Sequence, residues 1–316
     1  MKTVIDSISP DVILKELTSD KFLRKTRGGN NEIYVFHAND CPQTMREIGR
    51  LREISFRDSG GGTGLDCDVD EFDYGPDGFR QLIVWNPIDK AIVGGYRYLF
   101  CNQMRPNSQG EFNTPTSELF HYSDKFKKDY LPYTIELGRS FVQPDYQPSH
   151  SLSKGIYSLD NLWDGIGTLI TTLEPSYLFG KVTMYSQLNR DARDMILYFL
   201  KTQFPDPDHL VYPYPEVELP ILMDEEQLKS IFIGANYNEN YRILVKNVRE
   251  RGAAVPPLVN AYMSLSPTMR SFGTALNAPF GNVEETGILV TIADIFEEKA
   301  KRHFEYDPNA IPLHLS

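Results

Sequence analysis

The chain has 316 residues, of which 41% are hydrophobic and 24% charged, and its formal net charge is −11. This is the balance of a globular protein able to bury a sizeable core, and it argues against nucleic-acid binding and against a general affinity for anionic membranes. Three cysteines (Cys41, Cys67, Cys101) are too few and too irregularly spaced for a disulfide framework or a zinc site.

Met1–Pro10 lacks the apolar core of a signal peptide, and no apolar run approaches 18 residues. The expected location is the cytoplasm, with visits to the inner membrane surface compatible with it. A short helix is expected around Asp11–Leu17, then a basic cluster at Lys21, Arg24, Lys25 and Arg27, then a strand at Ile33–His37. Gln43–Arg57 has helical spacing, with Met45, Ile48 and Leu51 on one stripe and Arg52 and Phe56 near its end.

Ser59–Asp77 reads as a long polar loop with two misleading motifs. S-G-G-G-T-G resembles a phosphate cradle but lacks the Lys-Ser/Thr of a P-loop and follows a helix. Asp66, Asp68 and Asp70 have calcium-loop spacing, yet Glu71 stands where glycine is required and Asp77 where the bidentate Glu belongs.

Phe79–Trp85 and Ala91–Phe100 alternate as two antiparallel strands, with Arg97 inside the second. A polar insertion (102–131) carries one strand-like piece, Glu118–Tyr122, and a Lys125/Lys127/Lys128 patch. Thr134–Val142 is a strand bounded by Pro132 and Pro144. Helix at Leu159–Leu173, strand at Leu178–Tyr185 and helix at Asn189–Phe204 follow. After a proline-rich stretch (205–221), helices are expected at Asp224–Ile233, Tyr241–Arg251, Leu258–Leu265 and Asp294–His303, and a strand at Gly287–Ile292. The order implies a mixed α/β sheet covered by helices. One domain is expected, with a core over about 30–204 and an extension, 205–316, packed on it.

The strand T-I-E-L-G-R-S-F-V at 134–142 carries the chemistry. Glu136 and Arg139 interrupt a buried pattern, and a buried charge needs a partner or a task. Strict alternation puts them on opposite faces, whereas a bulge at Gly138 turns both to one side.

Four motifs resemble the GNAT N-acyltransferase superfamily, in its acyl-carrier-protein-dependent branch. They are Arg52-x-x-x-Phe56, D-E-F-D at 70–73, G-G-Y-R with Gly94 and Arg97, and E-L-G-R-S-F-V-x-P-D-Y at 136–146 with L-W-D-G-I at 162–166. V-P-P-L-V-N-A-Y at 255–262 and P-F-G-N-V-E-E-T at 279–286 look like the C-terminal part of amino-acid N-acyltransferases that make ornithine or glycine lipids, often labelled hemolysin-like. Acyl-homoserine-lactone synthases are more distantly similar. The resemblance implies a GNAT-like, mostly antiparallel sheet flanked by helices. It also implies transfer of a long, plain or 3-hydroxylated fatty acyl group from acyl carrier protein to an amino acid's amine, giving a lyso amino-lipid.

Gln143–Ser158 lacks the R/Q-x-x-G-x-G/A loop that holds the pyrophosphate of CoA, which favours a carrier-bound acyl-phosphopantetheine as donor and no resident cofactor. Burying a chain of about 14–16 carbons contributes on the order of 10 kcal/mol, so a fatty donor is physically reasonable.

Amine acylation needs a base, oxyanion donors and a tolerated thiolate. Glu136 is the candidate base, or else a structural partner of Arg139 or Arg97. Arg139 and Arg97 either hold an acceptor carboxylate or order the acidic loop through Asp70, Glu71 and Asp73. Gly138 gives a pantetheine arm room beside the main chain, backbone amides near Phe141–Val142 are the candidate donors that polarise the thioester carbonyl, and Ser140, Phe141 and Val142 are expected to bind substrate. Phe56, Phe72, Phe141 and Trp163 either line the acyl site or pack the core. No histidine has a nucleophile or metal-ligand spacing. Lys125/Lys127/Lys128, Lys21–Arg27 and Lys299/Lys301/Arg302 are candidate patches for an acidic carrier. An acyl-homoserine-lactone-like signal synthase and an idle acyl-binding protein are the alternatives.

Overall fold

A computed structural model describes residues 1–75, 78–151, 155 and 157–305. The strands, in chain order, are β1 (Phe22–Lys25), β2 (Glu32–Phe36), β3 (Arg80–Asn86), β4 (Ala91–Phe100) and β5 (Phe120–Tyr122). They continue with β6 (Thr134–Val142), β7 (Tyr177–Met184), β8 (Val211–Pro213), β9 (Arg270–Asn277) and β10 (Val283–Thr291). The helices are α1 (Pro10–Glu16), α2 (Pro42–Asp58), α3 (Asp124–Asp129), α4 (Ser158–Leu173) and α5 (Arg190–Gln203). After them come α6 (Glu225–Ile231), α7 (Tyr237–Glu250), α8 (Pro257–Met263) and α9 (Glu297–Phe304).

Contacts divide the chain into two compact units, one of residues 1–104, 133–176 and 297 onward, the other of 105–132 and 177–296. The division does not follow the boundary near 204 expected from sequence, because β7 and α5 group with the C-terminal part.

In the first unit β1, β2, β3, β4 and β6 pair as consecutive antiparallel neighbours. α2 and α4 cover opposite faces. Arg52 on α2 reaches Gln81, while the next residue along β3, Leu82, packs against Gly165 of α4. α1 anchors the start of α2: the Glu16 carboxylate accepts from the amides of Gln43 and Thr44 at 3.0 and 2.7 Å, supplying the cap that Cys41 cannot. β1 falls within the expected basic cluster. Arg24 there is 1% exposed, its guanidinium donating to the Lys25 carbonyl and to Thr168.

The glycine-rich loop does cradle an anion, and it is the chain's own Glu53. Its carboxylate accepts from the Thr63 and Gly64 amides at 3.0 and 2.7 Å and from the Thr63 hydroxyl at 2.7 Å.

In the second unit β10 pairs antiparallel with both β7 and β9, and β5 with β8. Phe126 and Phe179 pack with ring centroids 5.0 Å apart, and Phe272 lies 6.1 Å from Phe179. β9 and the first half of β10 were not anticipated. Gly273, at φ +85°, interrupts the β pattern of one, and polar Glu284, Glu285 and Thr286 obscure the other.

Candidate active site

Along β6, Arg97 stands opposite Gly138 and Gly95 opposite Phe141, so Tyr96 alone faces Arg139 and Ser140. This is a β-bulge. Sequence reasoning put its pivot at Gly138, but the left-handed residue is Arg139, at φ +48°. A non-glycine residue there carries a strain of about 1 kcal/mol, sustained by its surroundings. Before the bulge, 134–137 are buried; at 138–140 the strand becomes half-exposed.

The bulge brings Arg139 to the side where Arg97 lies, and a lattice of three arginines and three aspartates forms. Arg52 donates to Asp73 at 3.0 Å and to Gln81 at 2.6 Å. Arg97 donates to Asp70 at 2.6 Å and meets Asp73 at 3.4 Å, with its guanidinium 5.7 and 5.3 Å from the Phe72 and Phe79 ring centroids. Arg139 pairs with Asp68 at 2.9 Å and Asp70 at 3.3 Å. Asp70 and Asp73 also cap the single turn between them. Burial opposes charge on Asp73, but Arg52 and Arg97 outweigh it and hold its pKa down to about 2.

Of the two uses expected for Arg97, the structure places it in the ordering of the acidic loop. It is 0% exposed, stacked beneath Gly138, whose added Cβ would lie 3.4 Å from the Arg97 Nε. A Cβ at Gly138 would thus make ordinary van der Waals contact with Arg97. Arg52, also 0% exposed, is structural in the same way. The aspartates with calcium-loop spacing diverge from a cation: Asp68 and Asp70 face arginines, and Asp77 lies outside the described residues.

Glu136 is 1% exposed and stands opposite Leu99. Alternation puts it on the side of Gly138 and Arg97, below the half-exposed bulge. Cys101 lies against it, and burial followed by the Glu136 charge pushes that thiol well above its ordinary value, so Cys101 is no nucleophile. Phe56 and Phe141 are buried in the first unit's core. Trp163 is not brought to this side. It is on α4, across the sheet, its ring 6.2 Å from that of His303, whose imidazole meets Asp164 at 3.3 Å. Sequence reasoning missed Gln81, which bridges Arg52 and Asp73; its signal was a lone amide in an otherwise apolar strand, Q-L-I-V-W. It also missed Asp68 as the partner of Arg139.

A profile for the acetyltransferase (GNAT) domain matches residues 51–154, which span the C-terminal half of α2, the acidic loop and β6. The chain is 50% identical to a glycine N(alpha)-acyltransferase of Bacteroides thetaiotaomicron, covering 99% of this chain and 94% of that one. It is likewise 50% identical to a glycine N(alpha)-acyltransferase of Phocaeicola vulgatus, with 96% and 93% covered. Among solved structures it is similar to FeeM, an N-acyl amino acid synthase from uncultured soil microbes, at 9% identity and a TM-score of 0.39 over 84% of this chain and 93% of that one. Fold and comparisons together define an acyltransferase built on the GNAT fold. The chain belongs to the family of the glycine N(alpha)-acyltransferases. No helix among the described residues is long and apolar enough to cross a membrane.

Proposed function

We propose that the protein transfers a long-chain fatty acyl group, plain or 3-hydroxylated, from the phosphopantetheine thioester of an acyl carrier protein to the α-amine of glycine. The product is an N-acylglycine, a lyso amino-lipid, made in the cytoplasm with transient visits to the inner membrane surface. The acceptor follows the names of relatives that match nearly the whole chain. A carrier-bound donor is supported by the missing pyrophosphate loop in Gln143–Ser158, of which residues 152–154 and 156 lie outside the described residues.

The observation that carries the chemistry is Glu136, a carboxylate buried in β6 just before the strand opens at Arg139. In this reading Glu136, directly or through a water, takes the proton of the glycine ammonium. The freed amine attacks the thioester carbonyl and a C–N bond forms; the adduct nitrogen sheds its second proton as the C–S bond breaks, so that of the two protons nitrogen loses one ends on the pantetheine thiolate and the other passes through Glu136 to solvent. Backbone amides at Phe141–Val142 polarise the carbonyl. Arg139, with 16% of its side chain exposed against 1% or less for Arg97 and Arg52, is the arginine that an acceptor carboxylate can reach. The steps need no resident cofactor.

The test is lipid analysis of cells overproducing the protein beside its Glu136→Gln variant. N-acylglycine is expected in the first and absent from the second. Equal accumulation would make Glu136 structural, and an acyl chain on another amine would overturn glycine as the acceptor.

A further inference from the structure

Arg139 presents one edge of its guanidinium to two carboxylates. Its Nε meets Asp68 at 2.9 Å and its Nη2 meets Asp70 at 3.3 Å. The fork that would hold a single carboxylate with both nitrogens is therefore divided between two residues of the acidic loop. The two partners differ. Asp68 is 1% exposed and fixed by its burial, whereas the Asp70 side chain keeps 27% of its surface in solvent. Among the described residues, Arg139–Asp70 is the one pair of the lattice that solvent reaches from both partners.

Asp70 is also anchored without Arg139. Its Oδ1 accepts from Arg97 at 2.6 Å and from the Phe72 amide at 3.0 Å, and it is Oδ2 that turns to Arg139. Releasing Arg139 leaves Asp70 paired and the single turn after it capped.

We infer that Asp70 is an internal carboxylate that holds the acceptor's place on Arg139 and is exchanged for the carboxylate of the incoming amino acid, which makes it a determinant of acceptor affinity. This rests on the reading above of Arg139 as the arginine an acceptor carboxylate reaches. The exchange preserves charge balance, since one carboxylate replaces another while Asp68 stays paired with the same guanidinium. It breaks a partly exposed ion pair, the weakest kind, so a free carboxylate competes for Arg139 on near-even terms. It also imposes a selectivity. An amine without a carboxylate has nothing to exchange, and an acceptor with a second carboxylate meets the like charges of Asp68 and the released Asp70.

The experiment is steady-state kinetics with glycine and with glycinamide, on the wild type and on Asp70→Asn and Asp70→Ser, both of which keep a side-chain cap for the Phe72 amide without the charge. The donor is whichever of acyl-carrier protein and acyl-CoA the wild type turns over, so the result stands apart from the donor reading. The glycine KM is expected to fall about two- to fivefold in both variants, the worth of a partly exposed ion pair, with the glycinamide KM unmoved. Acetate should inhibit the wild type competitively against glycine, and the variants at correspondingly lower concentration. Arg139→Lys, which keeps a charge for Asp68 but not the fork, should raise the glycine KM and narrow the preference over glycinamide. An unchanged glycine KM in the Asp70 variants overturns the exchange, as does a wild type that acetate does not inhibit competitively. A glycine KM that rises, or loss of turnover with a wild-type urea midpoint, also overturns it and assigns Asp70 to the acceptor's ammonium. If Arg139→Lys leaves the glycine KM unmoved, the Arg139 reading itself falls, and the exchange with it.

Discussion

Replacing Arg139 by glycine and by alanine separates what its side chain does from what its backbone does. Either change removes the partner of Asp68, which is 1% exposed, and stranding a buried carboxylate costs about 3–5 kcal/mol. Arg139 keeps 16% of its side chain exposed, and Asp70 retains Arg97, so the low end, about 3 kcal/mol, is expected. At φ +48° glycine adopts the backbone without strain whereas alanine pays about 1 kcal/mol. Arg139→Gly should therefore be the more stable variant by about 1 kcal/mol. For an m-value of about 2–3 kcal/mol/M this is roughly 0.4 M in urea midpoint. Tryptophan fluorescence reads the right region, since Trp85 and Trp163 both belong to the unit that holds β6. Adding Asp68→Asn should return most of the loss in both backgrounds by removing the stranded charge. An alanine variant as stable as the glycine one would refute the left-handed bulge.

Glu136→Gln should lower kcat by about 10²–10⁴-fold, the usual contribution of a general base, while leaving the urea midpoint near that of the wild type. Arg97→Met should cost about 3–5 kcal/mol in the same assay because it leaves Asp70 and Asp73 facing one arginine fewer; a neutral outcome would contradict the lattice. Asp73 has a folded pKa of about 2 against an unfolded value near 3.9, so its stabilising share is present above about pH 4 and is lost as pH falls through 2. That share is on the order of 2 kcal/mol, and an Asp73→Asn variant should show a flatter urea midpoint between pH 5 and 2 than the wild type. If both fall in parallel, other carboxylates carry the acid sensitivity.

Strand 134–142, helix 42–58, the 80–86/91–100 hairpin and the helix beginning at 158 were legible because each has one dominant period and clear terminators. Charges inside apolar strands marked Arg97, Glu136 and Arg139, since burying an ion is expensive enough to be visible in one dimension. Their division of labour was not visible. Whether a buried arginine meets a substrate or an aspartate depends on which loop folds over it, and here residues 66–73 supply Asp68, Asp70 and Asp73 from a stretch without a strong period of its own. The same holds for Trp163, whose motif placed it near strand 134–142 in sequence while the sheet separates them in space. The bulge, too, is a tertiary outcome. Local preference favours glycine for the left-handed pivot, but the ion pairs of Arg139 with Asp68 and Asp70 outweigh about 1 kcal/mol of backbone strain and move it one residue along. Periodicity and the cost of buried charge are properties of the chain; pairing across long sequence separations exists only once the chain has folded.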